Sequence, residues 1–348
     1  MTELVNKLIN EKKLTALEYQ SLICGYTKED ADYLAAEARK VRNRVYGETV
    51  YIRGLIEISN YCRNDCLYCG IRRSNRSCSR YRLTEDEILS CCDEGYLLGF
   101  RTFVLQGGED GYYTDERICN ILKRIKTRYP SVAVTLSLGE RSRESYQCLF
   151  DAGADRYLLR HETADTAHYS RLHPSELTLE NRMRCLYDLR DIGYQVGAGF
   201  MVGSPYQTAE HLAKDLVFIQ EFKPDMCGIG PFIPHNDTPF GAFPAGSVDL
   251  TCFLLSVVRI IHPAVLLPAT TALGTLADDG RERGIKCGAN VVMPNLSPQT
   301  SRKKYLLYNN KLSDGAESAQ CLEELKKRVA AAGCTVVTDR GDVKKGTM

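Results

Sequence analysis

From Tyr51 onward the chain repeats one rhythm: a short apolar run, then an amphipathic segment with a readable start and stop. The runs are YIRGLIEI, TFVLQ, VAVTLSL, DRYLLR, QVGAGFMVG, DMCGIGPF, LLPATT and ANVVMP. They are rich in Val, Ile, Leu and aromatics, as strands buried on both faces of a parallel sheet are. Thr84 with Glu87 forms a capping box ahead of EILSCCDEGYLLGF. Thr114, Ser142, Thr178 and Thr208 stand where N-caps are needed, and Gly153 and Gly193 where a helix ends in a left-handed residue. Eight strand candidates alternating with helices over roughly 250 residues predict an α/β fold of the (β/α)8 TIM-barrel type. A doubly wound open sheet is the rival topology. Residues 1–45 read as a helical N-terminal extension, 46–312 as the barrel, and 313–348 as a closing C-terminal helix with a frayed tail.

The barrel matters because it gathers the C-terminal ends of its strands around one mouth. Little in the bulk composition competes with that focus. The 348 residues are 44% hydrophobic and 26% charged, with a formal net charge of +1, so neither nucleic acid nor an anionic membrane is favoured as a partner. The N-terminus, MTELVNKLINEKK, reads as a polar helix rather than a signal peptide, and no apolar run approaches the ~18 residues of a membrane span. The expected location is the cytoplasm. The 15 cysteines then argue against a disulfide framework, and most, such as Cys91, Cys119, Cys148 and Cys252, sit in helical patterns as small hydrophobes.

Three cysteines differ from the rest. In ISNYCRNDCLYCGIRRSN, just after the first strand, Cys62, Cys66 and Cys69 are spaced C-x3-C-x2-C. Thiolates bind zinc or iron–sulfur clusters, but a structural zinc site wants four ligands. Cys78, past the basic run RRSNRSCSR, is a possible fourth. Without it, the spacing suits three corners of a [4Fe–4S] cubane whose fourth iron is open to an exogenous ligand. With Tyr68 before the last cysteine, the motif resembles the signature of radical S-adenosylmethionine (SAM) enzymes. In that family the open iron chelates SAM.

Other motifs fall at the same mouth. LQGGED ends the second strand and VTLSLGE the third, where Thr135 and Ser137 share one face. Along DRYLLRHETA, Arg156, Leu158, Arg160 and Glu162 share a face, and charges facing a barrel interior must be paired or bind something. Both a charged ligand pocket and an internal Arg–Glu pair fit. His161 reads as structural, and Arg182 in the next helix could grip a carboxylate. His235 and Asp237 in GPFIPHNDTPFG suit either polar ligands or a loop-stabilising turn. PATTALGTL carries Thr270 and Thr271, and Tyr305 and Tyr308 in KYLLYNNK share a face if helical.

Together these segments resemble the HydE family of radical SAM maturases of [FeFe]-hydrogenase, over about residues 45–310. RHETA and PFIPH resemble that family rather than the related biotin and methylornithine synthases. The resemblance implies that Cys62, Cys66 and Cys69 ligate the cluster and that Tyr68, Ser137, Glu162, Arg182 and Met201 surround SAM. It places Arg156, Arg160, Thr270, Thr271, Tyr305 and Tyr308 around an inner cavity. It implies a small cysteine-bearing iron carbonyl/cyanide substrate, attacked at sulfur, with the maturases HydG and HydF and an electron donor as partners. Other biotin-synthase-like radical SAM chemistry and a non-enzymatic iron–sulfur carrier are the alternatives. Cys321 stands alone in NKLSDGAESAQCLEEL, so no second cluster is expected.

Overall fold

The computed structural model describes residues 2–344. Three helices open the chain: α1 (Thr2–Glu11), α2 (Ala16–Gly25) and α3 (Lys28–Tyr46). One bent extended segment follows, split at Arg53 into β1 (Thr49–Ile52) and β2 (Gly54–Ser59). The repeat then runs α4 (Glu85–Leu97), β3 (Thr102–Gly107), α5 (Asp115–Arg128), β4 (Ala133–Ser137), α6 (Arg143–Asp151) and β5 (Arg156–Leu158). It continues through α7 (Thr166–Leu172), α8 (Leu179–Ile192), β6 (Gln195–Ala198), β7 (Met201–Val202), α9 (Ala209–Phe222), β8 (Met226–Cys227) and β9 (Gly230–Pro231). Last come α10 (Val248–Ile261), α11 (Thr271–Leu276), α12 (Gly280–Lys286), β10 (Val291–Val292), α13 (Gln299–Arg302), α14 (Leu322–Ala331) and β11 (Thr335–Val337).

Strands β2-β3-β4-β5-β6-β8 form one parallel sheet. Parallel bridges carry the ring onward, Met226 to Leu266 and Pro268 to Val291, and Leu55 to Asn295 brings it back to β2. The sheet therefore closes, which decides for the barrel against the open sheet. The caps expected from sequence are in place. Thr84 N donates to Glu87 Oε2 at 2.7 Å while Glu87 N donates to Thr84 Oγ1 at 3.2 Å, and Gly193 ends α8 at φ 112°. The register fixes what fills the barrel. Glu57, Gln106 and Ser137 stand side by side, and one layer below Leu55, Val104, Thr135, Arg156 and Gln195 do the same.

Helix α10 is apolar all round and almost wholly buried, as such helices must be. The N-terminal helices supply its outer cover: Tyr26 stacks on Phe253 at 3.9 Å, and Tyr19 Oη donates to Gln220 of α9 at 2.7 Å. At the other end of the chain the structure corrects two expectations. The C-terminal segment is not frayed through residue 344. Its strand β11 pairs in parallel with β1, and Arg340–Asp342 then lace across the N-terminal ends of the barrel strands. Arg340 reaches Asp155 at 3.1 Å, and its carbonyl accepts from Thr102 Oγ1 at 2.8 Å. Arg156, expected around the inner cavity, is tied to this strap instead. Its Nε donates to Gln195, its Nη1 to Thr102, and its Nη2 to Arg340 O and to Asp342 at 2.6 Å. The inward face was right, but the end of the barrel was not.

Candidate active site at the carboxyl end of the barrel

The cysteine loop leaves β2 through Asn60, which is fully buried. Asn60 Nδ2 donates to the carbonyls of Ser79 and Lys304 at 2.9 Å, and its Oδ1 accepts from Tyr81 N at 2.7 Å. The basic run after the cysteines folds the loop on itself. Arg72 pairs with Asp65 at 2.7 Å, and Arg80 donates to the carbonyls of Ile71 and Asn75. Two glycines let other segments close in. A Cβ on Gly70 would meet Leu306 O at 2.2 Å and the His235 ring at 2.3 Å; one on Gly108 would meet Tyr61 O at 2.2 Å. His235 is thus a wall of the loop, its Nδ1 accepting from Asp237 N at 3.1 Å, while Asp237 is exposed.

Burial pushes all three thiols up, Cys69 to about 12, and Cys62 and Cys69 raise Cys66 further. Three sulfurs crowded in a poorly solvated pocket are stable as thiolates only when a cation shares their charge. Among the described residues no three His, Cys, Asp or Glu side chains are gathered closely enough for a single metal ion. A cubane is a wider object that takes its thiolates at separate corners, and the trio suits it better than one ion. Glu109 N also points at Cys62 Sγ from 3.4 Å, a donor placed for a thiolate.

Around the cysteines a chain of ion pairs fixes the polar wall. Glu109 accepts from Arg63 Nε and from Glu140 N, both at 2.9 Å. Glu140 accepts from Arg182 Nε at 2.6 Å, and Arg182 Nη1 reaches the Arg160 carbonyl at 2.7 Å. Arg182 is buried and near enough to the cysteine loop that its charge acts on Cys66 and Tyr68. Tyr68 Oη lies 3.2 Å from His173 Nε2. His173 Nδ1 sits 3.0 Å from the Tyr169 carbonyl and must donate to it, so Nε2 accepts from Tyr68. Burial holds His173 down to about 3, which keeps it neutral. Tyr68 also packs against a small apolar cluster containing Met201, Leu172, Phe232 and Phe240.

Glu162 has φ 66°, a rare conformation for a side-chain-bearing residue and one that clusters at functional sites. Beneath it His161 Nδ1 accepts from Gly199 N, and Asp215 Oδ1 accepts from Ala164 N at 2.6 Å, so a fully buried pair underpins the turn. Arg160 Nη2 approaches Glu162 Oε2 to 3.2 Å. Yet among the described residues neither atom, nor Arg160 Nε, has a hydrogen-bond partner.

Deeper in the barrel is a second lobe. Glu57 is fully buried, with Oε1 on Lys311 Nζ at 2.7 Å and Oε2 on Asn295 Nδ2 at 2.8 Å. Tyr305 is buried beside it. Burial and then Glu57 push its phenol well up, and the thiols of Cys69 and Cys62 add to this, so Tyr305 stands between the two lobes. Thr270 precedes α11 but makes no capping bond, and among the described residues its Oγ1 has no partner. Thr271 is engaged with Glu317 at 2.8 Å, and Tyr308 lies near Thr275 and Glu317. Tyr305 and Tyr308 do not share a helix face, because α13 ends at Arg302. Ser137 stands next to Gln106 in the register, at the top of β4. Sequence reasoning missed Glu57, Lys311, Glu140 and His173. Only Glu57 had left a signal, a carboxylate on the inward face of an apolar strand.

The sequence profile of the Radical SAM superfamily matches residues 56–219. The "[FeFe] hydrogenase maturase subunit HydE" of Thermotoga maritima is 45% identical over 308 residues, 88% of each chain. The chain belongs to the HydE family of radical SAM proteins. A "3-methylornithine synthase" of Methanosarcina acetivorans is 27% identical over 88% of this chain and 87% of its own. The crystal structure of methylornithine synthase (PylB) superposes with a TM-score of 0.85 at 27% identity, covering 96% of this chain and 97% of that one. The maturase HydG shares the fold, with a TM-score of 0.79 at 20% identity over 97% of this chain and 75% of its own. The family's cofactors are a [4Fe–4S] cluster and SAM. The site fits both: three neighbouring thiols that raise one another for the cluster, and beside them the Arg160–Glu162 ion pair, whose Nη2 and Oε2 make no hydrogen bond among the described residues.

Proposed function

We propose that this chain acts in assembly of the [FeFe]-hydrogenase diiron centre, in the manner its Thermotoga relative's name describes. When bound, the cluster supplies one electron to SAM and so gives a 5′-deoxyadenosyl radical. Cys62, Cys66 and Cys69 hold the cluster, and Glu109 N steadies the first of them. Tyr68, Ser137, Glu162, Arg182 and Met201 line the SAM side. Arg160, Thr270, Thr271, Tyr305 and Tyr308 face the substrate, a small cysteine-bearing iron species with carbonyl and cyanide ligands. Its cysteine sulfur is the atom attacked, HydG supplies it, and HydF receives the product. The observation that supports this reading is that Arg160 Nε and Thr270 Oγ1 are buried without a hydrogen-bond partner among the described residues, donors that suit anionic ligands without offering strong acids.

The test is anaerobic reconstitution with iron, sulfide, SAM and dithionite, followed by activation of apo-hydrogenase with this chain added or omitted. The reading requires 5′-deoxyadenosine and an activation that depends on the chain. If 5′-deoxyadenosine forms but omission leaves activation unchanged, another radical SAM reaction holds, and the PylB-like barrel makes methylornithine chemistry the first to try. If none forms, the carrier reading takes its place, and if Cys62→Ser binds as much iron as the parent the cluster ligands are assigned wrongly.

A further inference from the structure

On the outer wall of the barrel, Cys119 of α5 and Cys148 of α6 face each other with their sulfurs 3.4 Å apart. Cys148 is exposed and Cys119 is buried behind it. They lie in a surface cleft of about 1210 Å³, whose rim carries Arg117, Lys123 and Arg143 as well as Glu116 and Glu144. We propose that Cys119 and Cys148 are a thiol-modification site, closed to a disulfide by a small, charged disulfide such as oxidised glutathione. The cytosolic setting expected from sequence makes such a bond a reversible one rather than a permanent staple.

The chemistry uses the two thiols unequally. Cys148, reachable from solvent, attacks one sulfur of the reagent; the reagent's disulfide breaks and one thiol leaves. Cys119 then attacks the Cys148 sulfur of the mixed disulfide, the second reagent thiol leaves, and a Cys119–Cys148 bond forms. Two protein thiols are oxidised and one reagent disulfide is reduced to two thiols, so electrons balance. Burial pushes Cys119 up to about 12, which leaves the first attack to Cys148; in the second, intramolecular step the 3.4 Å separation offsets the small thiolate fraction of Cys119. The sulfurs need to approach by only about 1.3 Å to reach the bond length of a disulfide. Cys119 also leans on the Cys148 carbonyl at 3.6 Å, so the helices are already in register for it. The helices matter because of what precedes them. Helix α5 follows the Glu109 loop and α6 follows the Glu140 loop, and Asp115 joins the two helices through Arg141 and Ser145.

The test treats the cluster-loaded protein, under argon, with oxidised glutathione, then alkylates and digests it with trypsin. The expected product is a dithiothreitol-reversible cross-link between residues 118–123 and 144–156. In Cys119→Ser, Cys148 should instead accumulate as the glutathione adduct, and basal SAM cleavage should stay within about twofold of the parent in Cys119→Ser and in Cys148→Ser. Glutathione left on Cys148 of the parent beside an alkylated Cys119 would overturn the proposal. So would cross-links spread evenly over unrelated cysteines.

Discussion

Arg156 and Arg160 lie four residues apart on the same inward face of one strand and its extension, and they live in opposite conditions. Arg156 is fully buried with all three nitrogens engaged, Nε by Gln195, Nη1 by Thr102 and Nη2 by the C-terminal strap. Arg160 sits at the mouth, and among the described residues its Nε and Nη2 have no hydrogen-bond partner. A buried donor left unmade costs about 1–3 kcal/mol, so a fold keeps one only where something else uses it. The contrast separates charge that holds the barrel shut from charge kept for a ligand.

The sharpest challenge to that contrast is the Glu57–Lys311 pair, which lies in the ligand-facing half yet is complete. Both groups are shielded from solvent, so Lys311→Met leaves a buried carboxylate with Asn295 alone. A loss of about 3 kcal/mol in urea unfolding is expected, with the double variant Glu57→Gln/Lys311→Met recovering much of it. A single-variant loss under about 1 kcal/mol would mean that the pair carries no ionic contact worth the name.

Next in size is the strap. Asp342→Asn takes away the counter-charge of Arg156, and about 2 kcal/mol of stability should go with it, less than for a sealed pair because Asp342 is partly exposed. The same pair sets a pH dependence. Burial alone would raise the Asp342 carboxyl, but Arg340, Gln195 and Arg156 hold it below the usual carboxylate range. A depressed carboxyl contributes stability above its unfolded value of about 3.9 and loses it as pH falls towards the folded one. Acid should therefore loosen the parent from about pH 4 downward and change the Asp342→Asn protein less. Equal acid sensitivity in both would remove the strap from the account.

These two pairs also show where the sequence stops speaking. Most of the strands were legible because burial on both faces leaves continuous apolar runs, although LLPATT forms only single bridges at Leu266 and Pro268, and the cysteine loop because ligand spacing is local. Period-two alternation put Arg156 and Arg160 on one face. It could not say that a segment from the far end of the chain would cover one of them. Lys311 reaches Glu57 across 254 positions from a stretch with no regular structure, and no local pattern foretells that. The Tyr305 and Tyr308 spacing misled because three-residue neighbours meet only on a helix, and none forms there.

Arg160→Gln tests the other half of the contrast. It gives up only the 3.2 Å ion pair to Glu162, which makes no hydrogen bond, so stability should change by less than about 1 kcal/mol. Losing charged hydrogen bonds to a ligand, at about 1.5–3 kcal/mol, should cut product formation by roughly 10- to 100-fold. A stability loss matching the activity loss would make Arg160 a second Arg156.

The smallest effect is the most discriminating. Thr270 Oγ1 is buried at the head of α11, makes no cap, and has no partner among the described residues. Thr270→Val keeps the shape and removes the hydroxyl. If that hydroxyl serves only a ligand, its removal relieves desolvation and leaves the free protein unchanged or up to about 1 kcal/mol more stable. Product formation should fall by about fivefold or more, the worth of one neutral hydrogen bond of about 1 kcal/mol. Adding substrate should then raise the thermal midpoint of the parent more than that of the variant. A variant that is less stable by more than about 1 kcal/mol would show that the hydroxyl is bonded within the protein, and the mouth would lose Thr270 as a donor kept for a ligand.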